Sequence, residues 1–279
     1  MIKRILVALG GTRYTPFAVS RAIELAQEHQ AEVTGVTVVD VRRLSRVGPV
    51  PLGASASARE LREFRVQVAR EQVAQAEDEF TSACRQAGVP YQMRHEEGNS
   101  FESMAACARY HDLMIFGLRS LFEYDFEYDV VHDPHDSLIR LVTAGVRPML
   151  AIAPDSRPIR RVLIAYSGSM ESAKTIKWFV QLGLWPKAQL RIVTFEHQVD
   201  EAEQLVGDAA DYCRAHGLEP EEAYVPDSPK DHLLPYAAEW GADLIVAGNS
   251  AKNLLLRHVF GETALNLITS ADRPLFLAQ

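Results

Sequence analysis

The chain is written twice, and that repeat constrains its fold more than any other feature. Arg4-Ile5-Leu6-Val7-Ala8 lines up with Arg161-Val162-Leu163-Ile164-Ala165. Without a gap, Leu25 then meets Leu182, and Val36-Thr37-Val38 meets Val193-Thr194-Phe195. Further on, Cys84 meets Cys213 and Gly88 meets Gly217, and Asp112-Leu113-Met114-Ile115-Phe116-Gly117 meets Asp243-Leu244-Ile245-Val246-Ala247-Gly248. Arg147-Pro148-Met149-Leu150 closes the series against Arg273-Pro274-Leu275-Phe276. One order of matching blocks across 279 residues is duplication, and it predicts two domains, 1–153 and 159–279. The join, Ala153-Pro154-Asp155-Ser156-Arg157-Pro158, carries two prolines that block helix and central strand. The first half is the longer because of insertions near 41–60 and 120–130, the second of them acidic and aromatic (Phe122 to Asp129).

Each half reads as strand and helix in alternation, ending on a fifth strand. Runs such as Ile5-Leu6-Val7-Ala8-Leu9 and Leu244-Ile245-Val246-Ala247 are continuously apolar, the pattern of parallel strands covered on both faces by crossover helices. Ala18, Ala22, Leu25 and Ala26 repeat at helical spacing, and so do Leu233, Tyr236, Ala237 and Trp240. A long helix is predicted from about Ser57 to Ala87. The fold class is therefore α/β, with two tandem doubly wound domains, each built on a five-stranded parallel sheet. In such sheets ligands sit beyond the carboxyl ends of the strands.

Composition narrows the function. A formal charge of −8 argues against a nucleic-acid binder, whose footprint is usually basic. No apolar run reaches the roughly 18 residues that span a bilayer. Three cysteines, Cys84, Cys107 and Cys213, make no paired framework, and with no signal-like segment after Met1-Ile2-Lys3-Arg4 they predict a cytoplasmic protein.

In the second half, strand one ends in Ala165-Tyr166-Ser167-Gly168-Ser169, and strand four in Gly248-Asn249-Ser250-Ala251-Lys252-Asn253. A helix start is predicted near Gly261, where free amides make an anion site. With these residues the chain resembles the universal stress protein family over nearly all of both halves. The opening strand, the Asp-Leu-Ile-Val-Ala-Gly strand from Asp243 and the Arg-Pro-Leu-Phe-Leu strand from Arg273 carry the likeness. The resemblance implies a Rossmann-like, adenine nucleotide alpha hydrolase-like fold, with the halves forming a pseudo-dimer. In nucleotide-binding members the fourth-strand motif, Gly-x2-Gly-x9-Gly-Ser/Thr, holds ribose and phosphates. Gly248 and Gly261 stand at its first and last glycine, Ala251 at the second, and Glu262 at the Ser/Thr position with Thr263 after it. Ser167 stands where those members place an aspartate near adenine. The implied site is thus Ser167, Gly248, Asn249, Ser250, Gly261, Glu262 and Thr263, for ATP or AMP with Mg²⁺ bridging the carboxylate and the phosphates. In the first half only Gly117 survives; Gly10, Ser120 and His135 occupy the other motif positions, so no triphosphate is expected there.

The implied role is stress-linked signalling or protection through binding, with at most weak ATP hydrolysis and no catalytic residue. Action through protein partners without nucleotide is the alternative, and the arginine-rich stretch Arg42, Arg43, Arg46, Arg59, Arg62 and Arg65 is a surface for it. A further homodimer is left open. A third reading, an ATP-pyrophosphatase-like enzyme, rests on the loop Tyr166 to Ser172 alone; capping of a helix by Ser169 explains that loop more simply. His132 and His135 have the spacing of a metal pair but no third ligand, so no metal site is predicted. Cys84 and Cys213, at equivalent positions, read as shared packing.

Overall fold

The structure is a computed structural model that describes residues 2–39, 54–97, 100–118, 146, 148–154, 157–248, 267 and 270–278. These include ten strands and six helices. Contacts group the chain into two compact units, Lys3–Val146 and Arg147–Gln279, the latter with Met1–Ile2.

The N-terminal unit runs β1 (Arg4–Ala8), α1 (Thr15–His29), β2 (Glu32–Val39), α2 (Ser55–Ala87), β3 (Tyr91–Glu97), α3 (Ser100–Ala108) and β4 (Leu113–Gly117). Its strands lie in the order β3-β2-β1-β4, all parallel, with Ile5 opposite both Val33 and Leu113. Ile5, Leu6 and Val7 are fully buried, as continuous apolarity predicts for a central parallel strand. Helix α1 starts on a proline near its first position and buries Ala18, Ala22, Leu25 and Ala26. Helix α2 begins two residues before its predicted start. Its 33 residues make a rod of about 50 Å, yet its buried residues are Ala69, Val73, Ala76, Phe80 and Cys84, with none before Ala69.

The C-terminal unit runs β5 (Met149–Ile152), β6 (Arg161–Ala165), α4 (Met170–Leu182), β7 (Gln189–Phe195), α5 (Val199–Ala215), β8 (Glu221–Val225), α6 (Pro229–Trp240), β9 (Leu244–Gly248) and β10 (Leu275–Ala278). Its strand order is β5-β10-β9-β6-β7-β8. All neighbours are parallel except β5 and β10, which pair antiparallel with Phe276 opposite Leu150. Met149–Ile152, which the repeat assigns to the first half, is grouped with this unit and hydrogen-bonded to β10.

The duplication is visible atom by atom at the amino ends of the strands. Asp112 Oδ2 accepts the backbone N–H of Lys3 at 2.7 Å and of Arg4 at 2.9 Å. Asp243 Oδ2 accepts those of Arg160 and Arg161, both at 2.9 Å. In each unit an arginine side chain also reaches a carbonyl near the end of the preceding helix, Arg4 to Tyr110, two residues past α3, and Arg161 to Trp240, the last residue of α6. The paired cysteines Cys84 and Cys213 are fully buried, and burial pushes both thiols up to about 11. Packing accounts for them, as the sequence implies.

Candidate functional site

The carboxyl ends of β6 and β9 meet over the start of α4. After β6 the chain passes Tyr166 and Ser167 and turns at Gly168, whose φ of 68° lies in the left-handed region. Ser169 then caps α4: it is extended, and its Oγ accepts the N–H of Ser172 at 3.2 Å. The three serine hydroxyls form a triangle, with Ser167 Oγ 3.0 Å from Ser169 Oγ and 3.2 Å from Ser172 Oγ, and the last two 3.2 Å apart. Ser172 is buried and donates to the Ser169 carbonyl at 2.9 Å, while Ser167 is exposed. Two hydroxyls thus open outward beside the free amides of a helix start, where partial positive charge collects.

Gly248 closes the cluster from beneath. A Cβ there would stand 2.6 Å from Ser172 Cα and 2.8 Å from Ser172 N, so the end of β9 accepts only glycine against α4. The loop glycine Gly168 is approached by a Leu205 methyl, at 2.7 Å from where a Cβ would be. Burial, with Asp208 adding to it, raises the Tyr166 phenol, which stays neutral beside the cluster.

Of the predicted site residues, Ser167 and Gly248 are brought together through Ser172. Asn249, Ser250, Gly261, Glu262 and Thr263 lie outside the described residues, and so do Ser120, Phe122 to Asp129, His132, His135, Arg42, Arg43 and Arg46. Ser169 and Ser172 belong to the constellation and were not among the predicted residues. Their signal is in the sequence: Ser169-x-x-Ser172 after a buried strand is a helix cap followed by a second hydroxyl on the same turn. Among the described residues no group of three His, Cys, Asp or Glu stands together to hold a metal ion.

The corresponding loop of the N-terminal unit is built differently. Gly11 again has a φ of 68°, but here α2 lies on it: a Cβ would be 3.0 Å from Gln72 Cβ and 3.1 Å from the Gln72 backbone. Thr12 and Thr15 are buried and bond to each other's turn, with Thr15 Oγ1 accepting the Thr12 N–H at 3.2 Å.

A sequence profile described as the Universal stress protein family matches residues 1–119 and 193–279. The chain belongs to the universal stress protein family. A universal stress protein from Archaeoglobus fulgidus DSM 4304 shares the fold over 99% of this chain and 96% of its own, at 13% identity and a TM-score of 0.64. A functionally unknown protein from Pseudomonas aeruginosa PAO1 covers 99% of this chain and 92% of its own, at 16% identity and a TM-score of 0.60. At these identities the likeness speaks for the fold alone. A universal stress protein solved in complex with cAMP matches over 43% of this chain and 97% of its own, at 23% identity and a TM-score of 0.39. No curated protein matches. Among the described residues of this universal stress protein, no helix is long and apolar enough to cross a membrane.

Proposed function

We propose that this universal stress protein binds an adenine nucleotide, ATP or AMP with Mg²⁺, at the strand ends of its C-terminal unit, and that it works by binding, not by turnover. The observation that carries the reading is the serine triangle on the α4 start. Ser167 and Ser169 hold their hydroxyl protons on neighbouring hydroxyls, so both can turn to an external oxygen acceptor at small cost. The α4 amides favour negative charge at the same place. Ser167 would border the base, and Gly248, Asn249 and Ser250 would turn around ribose and phosphates. The Gly261–Thr263 segment would face the phosphate, with Mg²⁺ offsetting Glu262. A reducing compartment such as the cytoplasm suits the three unpaired, buried cysteines.

Calorimetry of the full chain with ATP, ADP and AMP, with and without Mg²⁺, tests this. Binding that weakens about tenfold in Ser167→Ala is expected, the scale of one hydrogen bond to a charged group. No heat at millimolar nucleotide overturns the proposal. A second reading, action through a protein surface without nucleotide, draws on the exposed apolar face of α2, with Phe64 61% and Leu61 42% exposed.

A further inference from the structure

Toward the carboxyl ends of β2 and β3, the N-terminal unit carries a polar cluster that the proposed nucleotide site does not use. Thr37 of β2 is fully buried, and its hydroxyl donates to Glu77 Oε1 of α2 at 2.7 Å. His95 stands opposite Thr37 on β3, with Nδ1 2.9 Å from the Thr37 hydroxyl and 3.2 Å from Glu77 Oε1. The threonine has a single proton, and the carboxylate takes it, nearer than the Arg94 carbonyl at 3.5 Å. Nδ1 must then supply the proton between ring and cluster. The neutral ring is fixed as the Nδ1–H tautomer, which leaves the lone pair on Nε2. The His95 side chain is 51% exposed, and Nε2 has no partner among the described residues.

The repeat shows that the fold does not require this arrangement. The same positions of the C-terminal unit hold Thr194, Val206 and Tyr224. Thr194 is again buried and lies opposite Tyr224, while the buried Val206 stands on α5 where Glu77 stands on α2. Valine at that place packs at no polar cost, whereas a partly buried carboxylate loses hydration that its partners must offset. Glu77 and His95 are thus an addition to one copy, toward the ends of the strands where such sheets take their ligands. A histidine with Nδ1–H held by a carboxylate and Nε2 open to solvent is an oriented nucleophile.

We infer that His95 is a covalent phosphoryl acceptor, taking phosphate on Nε2 from a donor of the phosphoramidate class. Nε2 attacks phosphorus, and the new N–P bond forms as the donor's P–N bond breaks. The donor nitrogen leaves with the bonding pair, as ammonia when the donor is phosphoramidate itself. One P–N bond replaces another, so the step calls for no oxidant or reductant. The ring becomes cationic, and Glu77 Oε1 opposes that charge through Nδ1–H. Such a donor needs no triphosphate cradle, which this unit lacks: α2 lies on Gly11, and of the glycine motif only Gly117 remains. Arg70 is exposed and has no partner among the described residues. It stands on the same stripe of α2 as Glu77, about 10 Å nearer the carboxyl end of the sheet, where it draws an anion.

Incubation of the full chain with phosphoramidate at neutral pH tests this, with phosphate mapped by peptide mass spectrometry and its place on the ring by phosphorus NMR. The exposed His197 and His216 of the C-terminal unit serve as internal standards. His95 should be labelled about tenfold faster than either, the scale of one hydrogen bond to a charged group. Glu77→Gln keeps the shape without the charge; it should remove that advantage and leave the rates at His197 and His216 unchanged. Thr37→Val disturbs the cluster but leaves the carboxylate on Nδ1, so it should keep most of the advantage. Labelling of His95 no faster than that of the standards overturns the inference. So does a rate indifferent to Glu77→Gln, or a phosphate found on Nδ1.

Discussion

Gly11 and Gly168 occupy the same place in the repeat, after the first strand of each unit, with the same φ of 68°. What lies over them differs. Gly168 meets the tip of Leu205, a side chain that can rotate away, whereas Gly11 meets the backbone of α2 at Gln72. The loop of the C-terminal unit can therefore admit a ligand by a rotamer change. The loop of the N-terminal unit can do so only if a helix moves. The long α2, 33 residues against 17 in its counterpart α5, has taken over the space above one strand end. The amino ends of the strands kept the same aspartate-to-amide contacts in both units. Duplication preserved what holds each sheet together and freed what stands over its ligand end.

Alanine at the two glycines breaks or sharpens this contrast most directly. Both substitutions force a Cβ into the left-handed region, at about 1 kcal/mol or somewhat more. Gly11→Ala adds overpacking against a helix backbone, so its total is about 3 kcal/mol. Gly168→Ala should cost about 1 kcal/mol, because Leu205 gives way. Denaturant unfolding of the two variants measures the difference; equal losses would mean that α2 yields as easily as a side chain.

The next effect tests sameness. Asp112→Ala and Asp243→Ala each strand two backbone amides that a single carboxylate oxygen satisfies. Each should cost about 2 kcal/mol. Hydrogen exchange followed by mass spectrometry reads each unit separately. Matching loss of protection in β1 with β4 and in β6 with β9 is expected, and a loss confined to one unit would refute the equivalence.

Much of this is legible in the amino-acid sequence. Continuous apolar runs read as parallel strands covered on both sides, which places the central strands of each unit; the end strands β3, Tyr91–Glu97, and β8, Glu221–Val225, carry no such run. Ser169 announced a cap, and the paired cysteines announced packing. What stayed hidden depends on contacts between segments far apart in the chain. Nothing in the sequence around Gly248 says that its neighbour is the backbone of Ser172, so the packing against α4 that requires a glycine there is visible only in the fold. Ser172 likewise joins Ser167 only after the strand-to-helix turn is folded. The periodicity of α2 marks a helix but not how much of it is packed. The apolar residues Leu61 and Phe64 look like core positions until the burial boundary at Ala69 is seen.

The smallest predicted effect depends on one substitution between the repeats. His111 of the N-terminal unit aligns with Ala242 of the other, each preceding by one residue the aspartate that both repeats carry. The imidazole is held between Thr34 Oγ1, 2.9 Å from Nε2, and the Cys107 carbonyl, 2.7 Å from Nδ1. The short contact to a carbonyl makes Nδ1 the protonated nitrogen, leaving Nε2 to accept from the threonine. Burial lowers its pKa below the ordinary 6.5, outweighing the carbonyl, which favours the charged ring; Arg4 and Arg94 lower it further. The unfolded chain then binds this proton more readily than the folded one, so stability rises with pH through this window. As pH falls from about 6.5 toward the lower folded value, the N-terminal unit loses stability through His111, and the C-terminal unit, with alanine there, loses none by this route. Exchange protection in β2 and β4 should therefore decline on acidification through this window while that in β7 and β9 holds, and His111→Ala should level the two. A decline of equal size in both units, or one that survives the substitution, would rule out His111 as its source.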